Sequence, residues 1–98
     1  MELLNKKFEV KTMKSKEYTF EVTEAFRGID VYAKIGPTKK QQSPDKVTIT
    51  VKKGTKIVRR LPLKDVAFAI GREQGTYKVT VKNENPLKVS GTVKVVSV

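Results

Sequence analysis

The last stretch of the chain, residues 75–98, alternates between apolar and polar side chains over almost its whole length. Its apolar positions are Tyr77, Val79 and Val81 before residues 83–86, and Leu87, Val89, Gly91, Val93 and Val95 after them. Successive residues of a β-strand point to opposite faces of a sheet, so one face of this stretch is apolar and the other polar. The pattern predicts a β-hairpin with one face on a core and one towards water.

The same two-residue period predicts strands earlier in the chain. These candidate strands cover residues 4–12, 17–23, 29–35, 47–52 and 55–61. Lys53-Gly54 supplies a tight turn between the last two of them. The facing of Ile57 and Val58 stays open, because a slip of one residue exchanges the two faces of a strand.

Two segments fit the strand pattern less well. Residues 63–70 have helical spacing of apolar residues between Pro62 and Gly71, but they also fit a strand. We favour the strand, because the neighbouring segments are β and eight residues make a marginal helix. Residues 36–46 contain two prolines and almost no apolar side chain. We expect a long loop there, of the kind that is usually functional or mobile.

About eight short strands with turns every 8–12 residues are typical of an all-β protein. We therefore predict one domain over residues 1–98, folded as an antiparallel β-sandwich of the jelly-roll type. A small closed barrel is the alternative.

The C-terminal half resembles a known kind of sandwich. Gly75 and Tyr77 open a strand that continues through Val79 and Val81 to Asn83. In this it is similar to the end of a Golgi-dynamics (GOLD) domain and to the bacterial pre-peptidase C-terminal domain. The resemblance implies a non-catalytic module that binds proteins or supports a larger assembly.

The composition removes most catalytic chemistry. The chain has neither cysteine nor histidine, so it lacks the usual nucleophile–base pairs and the commonest metal ligands. It also contains no glycine-rich phosphate loop. We therefore expect no enzyme activity and no cofactor. A carboxylate hydrolase that pairs Asp45 with Asp65 is an outlying alternative.

Location is predicted from the same absences. The N-terminal residues MELLNKKFEV hold no long apolar run, so we expect neither a signal peptide nor a membrane span. With no cysteine to form disulfides, this predicts a cytoplasmic protein if the chain is complete. The lysine-rich composition also suits a thermophile.

The net charge of +11 lies wholly in residues 31–98, which carry fifteen basic and four acidic side chains. Such a field favours polyanions. We therefore consider a cationic rim that binds phosphates, with Tyr32 as a stacking face for a base. The rim residues would be Lys39, Lys40, Lys52, Lys53, Lys56, Arg59 and Arg60. The alternative is that these side chains only solvate strand faces and discourage aggregation.

The end of the chain carries valine on both faces of the last predicted strand. Val95, Val96 and Val98 would either cap the core or pair with a second copy of the protein. The sequence as a whole favours a non-catalytic interaction or structural module that acts through its sheet edges and basic loop end, in an oligomer or larger assembly. The alternative is a protein that binds nucleic acid or another polyanion.

Overall fold

The structure, a computed structural model, describes residues 1–35, 46–63, 66–84, 86 and 88–98. Its strands are β1 (Glu2–Val10), β2 (Ser15–Val22), β3 (Ile29–Ile35), β4 (Val47–Lys53), β5 (Lys56–Pro62), β6 (Val66–Ala69), β7 (Gly75–Asn83) and β8 (Val89–Ser97). The described ranges contain no α-helix. The predicted all-β class is therefore confirmed.

The strands form two four-stranded antiparallel sheets. Sheet A has the order β1-β8-β3-β6, and sheet B has the order β2-β7-β4-β5. Every connection crosses from one sheet to the other except the hairpin between β4 and β5. Eight strands in this order make a jelly roll, so the predicted β-sandwich is confirmed. The alternative closed barrel is not formed, because each sheet ends in two edge strands.

The predicted C-terminal hairpin is wrong. β7 lies between β2 and β4 in sheet B, whereas β8 lies between β1 and β3 in sheet A. The two strands face each other across the core instead of pairing side by side. The alternation of apolar and polar residues shows which face of each strand is buried. That face is the same whether β7 and β8 pair as a hairpin or face each other across the core, so the alternation does not distinguish the two arrangements.

The core fills the space between the two sheets with small branched side chains. Sheet A contributes Ile29, Val31, Val89, Val93 and Val95, and sheet B contributes Val47, Ile49, Val51, Val79 and Val81, all fully buried. Burial of this apolar surface stabilises the fold by about 25 cal/mol per Å². The ring of Phe20 also stacks on that of Tyr77, with centroids 5.1 Å apart.

A side-chain contact joins the two sheets at each open side of the sandwich. On the side of β1 and β2, the hydroxyl of Tyr18 donates a hydrogen bond to the carbonyl oxygen of Lys7, at 3.4 Å. On the side of β5 and β6, the guanidinium of Arg59 lies over the ring of Phe68. Both contacts join edge strands of opposite sheets.

The structure also decides the segments that the pattern left open. Residues 66–69 form β6, so the favoured strand is confirmed there and the helical alternative is wrong. A β-bulge opposite Val51 and Lys52 leaves Ile57 45% exposed, while Val58 packs against the core. Most of the predicted long loop lies outside the described residues.

Candidate binding faces

The seven predicted phosphate ligands do not converge on one rim. Lys39 and Lys40 lie outside the described residues. Arg59 pairs with Val51 on the core side of sheet B, at its edge, and stacks on Phe68. Arg60 pairs with Thr50, which lies on the outer face of sheet B, so the side chain of Arg60 points away from the core. The alternation of a β-strand thus separates the two adjacent arginines.

Lys53 is held in an ion pair. Its Nζ donates a hydrogen bond to Oε2 of Glu73 at 2.9 Å. This hydrogen bond raises the pKa of Lys53 and lowers the pKa of the Glu73 carboxyl. The hydroxyl of Tyr77 donates to the carbonyl oxygen of Glu73 at 2.6 Å and so fixes the same segment. Lys53 therefore has a partner within the chain, whereas Lys56 is exposed at the tip of the β4–β5 hairpin.

The outer face of sheet B brings together the two remaining cations, Lys52 and Arg60. They line a groove of about 380 Å³. One row of side chains crosses all four strands of this face, and its members are Glu17, Thr80, Thr50 and Arg60. Threonines therefore form the middle of the groove, with a carboxylate at one end and a guanidinium at the other.

Ion pairs neutralise one end of this groove. Lys78 lies 3.4 Å from Glu17, and Lys82 lies 3.3 Å from Glu84. Lys52 and Arg60 have no carboxylate within ion-pair distance among the described residues. The end formed by β4 and β5 is therefore the cationic one.

Tyr32 lies on the opposite side of the molecule, on the outer face of sheet A. Its side chain is 47% exposed and lines an apolar groove of about 430 Å³. The groove is also lined by Lys34, Val66, Ala67, Thr92 and Lys94. Tyr32 and Arg60 therefore lie on opposite outer faces of the sandwich. They cannot form the predicted site in which Tyr32 stacks on a base while the basic residue binds a phosphate of the same ligand.

The lysines around Tyr32 are a feature that the sequence analysis missed. Lys7 and Lys34 flank Thr92 in one row across sheet A. Lys94 pairs with Tyr32 in the next row and lies 3.7 Å from Glu2. The alternation along each strand shows in the sequence that these lysines lie on an outer face. It does not show that they lie together, because they belong to three separate strands. Only the pairing of β1, β8 and β3 brings them together.

The C-terminal valines have three different environments. Val95 is fully buried in the core, Val96 is half-buried on the outer face of sheet A, and Val98 is 62% exposed. β8 already has β1 on one side and β3 on the other. A second copy therefore cannot pair edge to edge with β8, since neither of its edges is free. Self-association through the exposed end of the chain stays a prediction.

No group of three acidic side chains in the described part of the chain could hold a metal ion. Asp45 and Asp65, the suggested hydrolytic pair, both lie outside the described residues. None of the described segments is a helix long and apolar enough to cross a membrane.

Comparisons with known proteins show similarity in structure alone. No protein-family model matches the sequence, and no curated protein matches it. The resemblance to GOLD and pre-peptidase C-terminal domains therefore stays a prediction. The solved structure of Aeromonas hydrophila PliG, a periplasmic inhibitor of g-type lysozyme, is similar with a TM-score of 0.60 and 16% identity. The match covers 99% of this chain and 87% of PliG.

PirA is a second structural neighbour, at a TM-score of 0.49 and 12% identity, over 96% of this chain and 93% of PirA. This similarity is too slight to support an argument.

The predicted cytoplasmic location is wrong, because the neighbour with the shared fold, PliG, is a periplasmic protein. The prediction depended in part on the absence of cysteine. Disulfides form in oxidising compartments, but a protein located there need not contain them, so the absence of cysteine does not identify the cytoplasm.

Proposed function

We propose that this protein is a non-catalytic module that works outside the cytoplasm and binds another protein through the outer face of sheet A. Its partner presents an apolar side chain surrounded by carboxylates. The apolar side chain enters the groove beside Tyr32, and the carboxylates meet the lysines around it.

The exposed position of Tyr32 is the observation that carries this proposal. A tyrosine that is 47% exposed at the side of an apolar groove offers a large, rigid contact surface. Tyrosine is one of the residues that contribute most to binding energy at protein interfaces. Ala67 on β6 pairs with Tyr32 on β3, and its small side chain leaves room for a side chain of the partner protein.

Charge on the same face supports an acidic partner. Among the described residues, Lys7 and Lys34 have no ion-pair partner, and Lys94 forms an ion pair with Glu2. Such a polar rim adds orientation and increases the rate of association more than it adds affinity. The net charge of +11 acts in the same direction over a longer range.

The fold supports a role in protein binding and a location outside the cytoplasm. PliG, which is similar over nearly the whole chain, is a periplasmic inhibitor of a lysozyme. That function is exercised by binding a protein. Nucleic-acid binding is less well supported, because Lys53 is paired with Glu73 and Arg59 with Phe68.

Binding to purified g-type lysozyme is the first test, followed by proteins captured from the extracytoplasmic fraction of the source organism. A photo-reactive amino acid at position 32 should cross-link one such protein, which is then identified and purified. Truncation of a tyrosine that is a hot spot of an interface costs about 2 kcal/mol or more, so Tyr32→Ala should weaken the affinity by at least about tenfold.

Ile57→Ala is the matched control. Ile57 has nearly the same exposure, 45%, but lies on β5 of sheet B. Its substitution should leave the affinity unchanged. The proposal is rejected if position 32 yields no adduct, or if Ile57→Ala weakens binding as much as Tyr32→Ala does.

A further inference from the structure

We infer that the outer face of sheet B is a second, separate site, which binds an acidic peptide segment of another protein with a carboxylate on Lys52 and Arg60. This inference does not depend on the proposed role of Tyr32, since the two sites lie on opposite faces of the sandwich.

The register of β4 and β5 brings the two cations within reach of one carboxylate. Arg60 pairs directly with Thr50, and Lys52 follows Thr50 by two residues on the same face of β4. Lys52 and Arg60 are therefore diagonal neighbours, and long side chains at such positions can meet over the sheet. Both of them line the same groove.

The charges that face the groove favour an anion at this end. Lys82 is paired with Glu84, and Glu17 is paired with Lys78. Lys52 and Arg60 are thus the two cations of the groove that have no ion-pair partner among the described residues. A guanidinium presents two parallel N–H donors to a carboxylate, and an ammonium beside it adds a third.

The rest of the groove fits a peptide better than other polyanions. Thr50 and Thr80 lie in its middle, and each hydroxyl both donates and accepts hydrogen bonds. The N–H and C=O groups of an extended peptide need both kinds of partner. No aromatic side chain lines this groove within the described ranges, so it lacks the stacking surface that nucleotide bases use.

Titration with an octaglutamate peptide at ~50 mM salt tests the inference, because contacts between charged groups are least screened at low salt. The double variant Lys52→Gln/Arg60→Gln should bind this peptide at least about tenfold more weakly than the unaltered protein. Thermal melting of each variant shows whether the fold is retained.

The control Lys11→Gln/Arg27→Gln removes the same charge from exposed residues of the β1–β2 and β2–β3 connections. It should change the affinity less than twofold. An equal loss in both double variants would show attraction by bulk charge and would overturn the site. So would the absence of binding. An oligothymidylate or polygalacturonate of equal charge that binds more tightly, with the same dependence on Lys52 and Arg60, would overturn the assignment to a peptide.

Discussion

The guanidinium carbon of Arg59 lies 5.5 Å from the centre of the Phe68 ring. Arg59 belongs to the edge strand of sheet B and Phe68 to the edge strand of sheet A. The contact therefore joins the two sheets at the side of the sandwich that is formed by β5 and β6. A residue that the sequence presented as a phosphate ligand thus has a structural role.

Replacing Arg59 should therefore lower the stability of the fold, whereas replacing Arg60 should not. Arg59→Ala removes the cation–π contact and the covering of Phe68, and we expect a loss of about 0.5–1 kcal/mol. Arg60→Ala, at an exposed position on the outer face, should change stability by less than about 0.5 kcal/mol. Urea unfolding of both variants measures the difference. Equal effects would show that Arg59 does not join the two sheets.

Gly91 has no room for a side chain. A β-carbon there would lie 2.7 Å from Cζ of Phe8 and would overlap the carbonyl oxygen of Lys34. Gly91→Ala must therefore displace the backbone of β3 as well as the ring of Phe8, at a cost of about 1–3 kcal/mol. Gly28→Ala is the control, because the space around that position is open. A Gly91→Ala protein as stable as Gly28→Ala in thermal unfolding would contradict the packing described.

The ion pair of Lys53 and Glu73 should make stability depend on pH in acid. The hydrogen bond from Lys53 lowers the pKa of the Glu73 carboxyl below its ordinary 4.5, with further contributions from the charges of Lys53 and Lys56. A carboxyl whose pKa is lower in the folded state stabilises the fold above the unfolded-state pKa. That contribution is lost as the pH falls through the folded-state pKa.

Glu73→Gln should therefore be less stable than the unaltered protein near neutral pH and equally stable in strong acid. In NMR titrations, Lys53→Met should raise the pKa of Glu73 towards 4.5. Both effects should weaken in high salt, since the pair is exposed to solvent. A stability difference that stays constant with pH would argue against the ion pair.

Asn83 links the end of β7 to the end of β1. It is completely buried, and its Nδ2 donates a hydrogen bond to the carbonyl oxygen of Val10 at 2.9 Å. Asn83→Asp replaces this donor with a carboxylate that would be buried next to a carbonyl oxygen. Burial raises the pKa of such a group, so the variant should be unstable at neutral pH and regain stability as the pH falls.

Asn83→Ala leaves the Val10 carbonyl without this donor and should cost about 1–3 kcal/mol at every pH. Chemical unfolding of the two variants across a range of pH separates the effects. If Asn83→Asp were equally stable in acid and at neutral pH, the side chain would not be buried in the way described.

The sequence by itself determined most of the strands and the two-faced character of each, because the alternation of apolar and polar residues is a local property. It favoured a sandwich, but only the pairing of the strands into two sheets decided against a closed barrel. Val79 and Val93 both had to be buried, whatever their neighbours. Tertiary structure alone decided that β7 and β8 face each other instead of forming a hairpin. It likewise turned Arg59 towards Phe68 and Arg60 towards solvent, because register and the bulge in β4–β5 are set by contacts between strands. The binding faces depend on such pairings between distant parts of the chain, and the spacing of residues along it does not encode them.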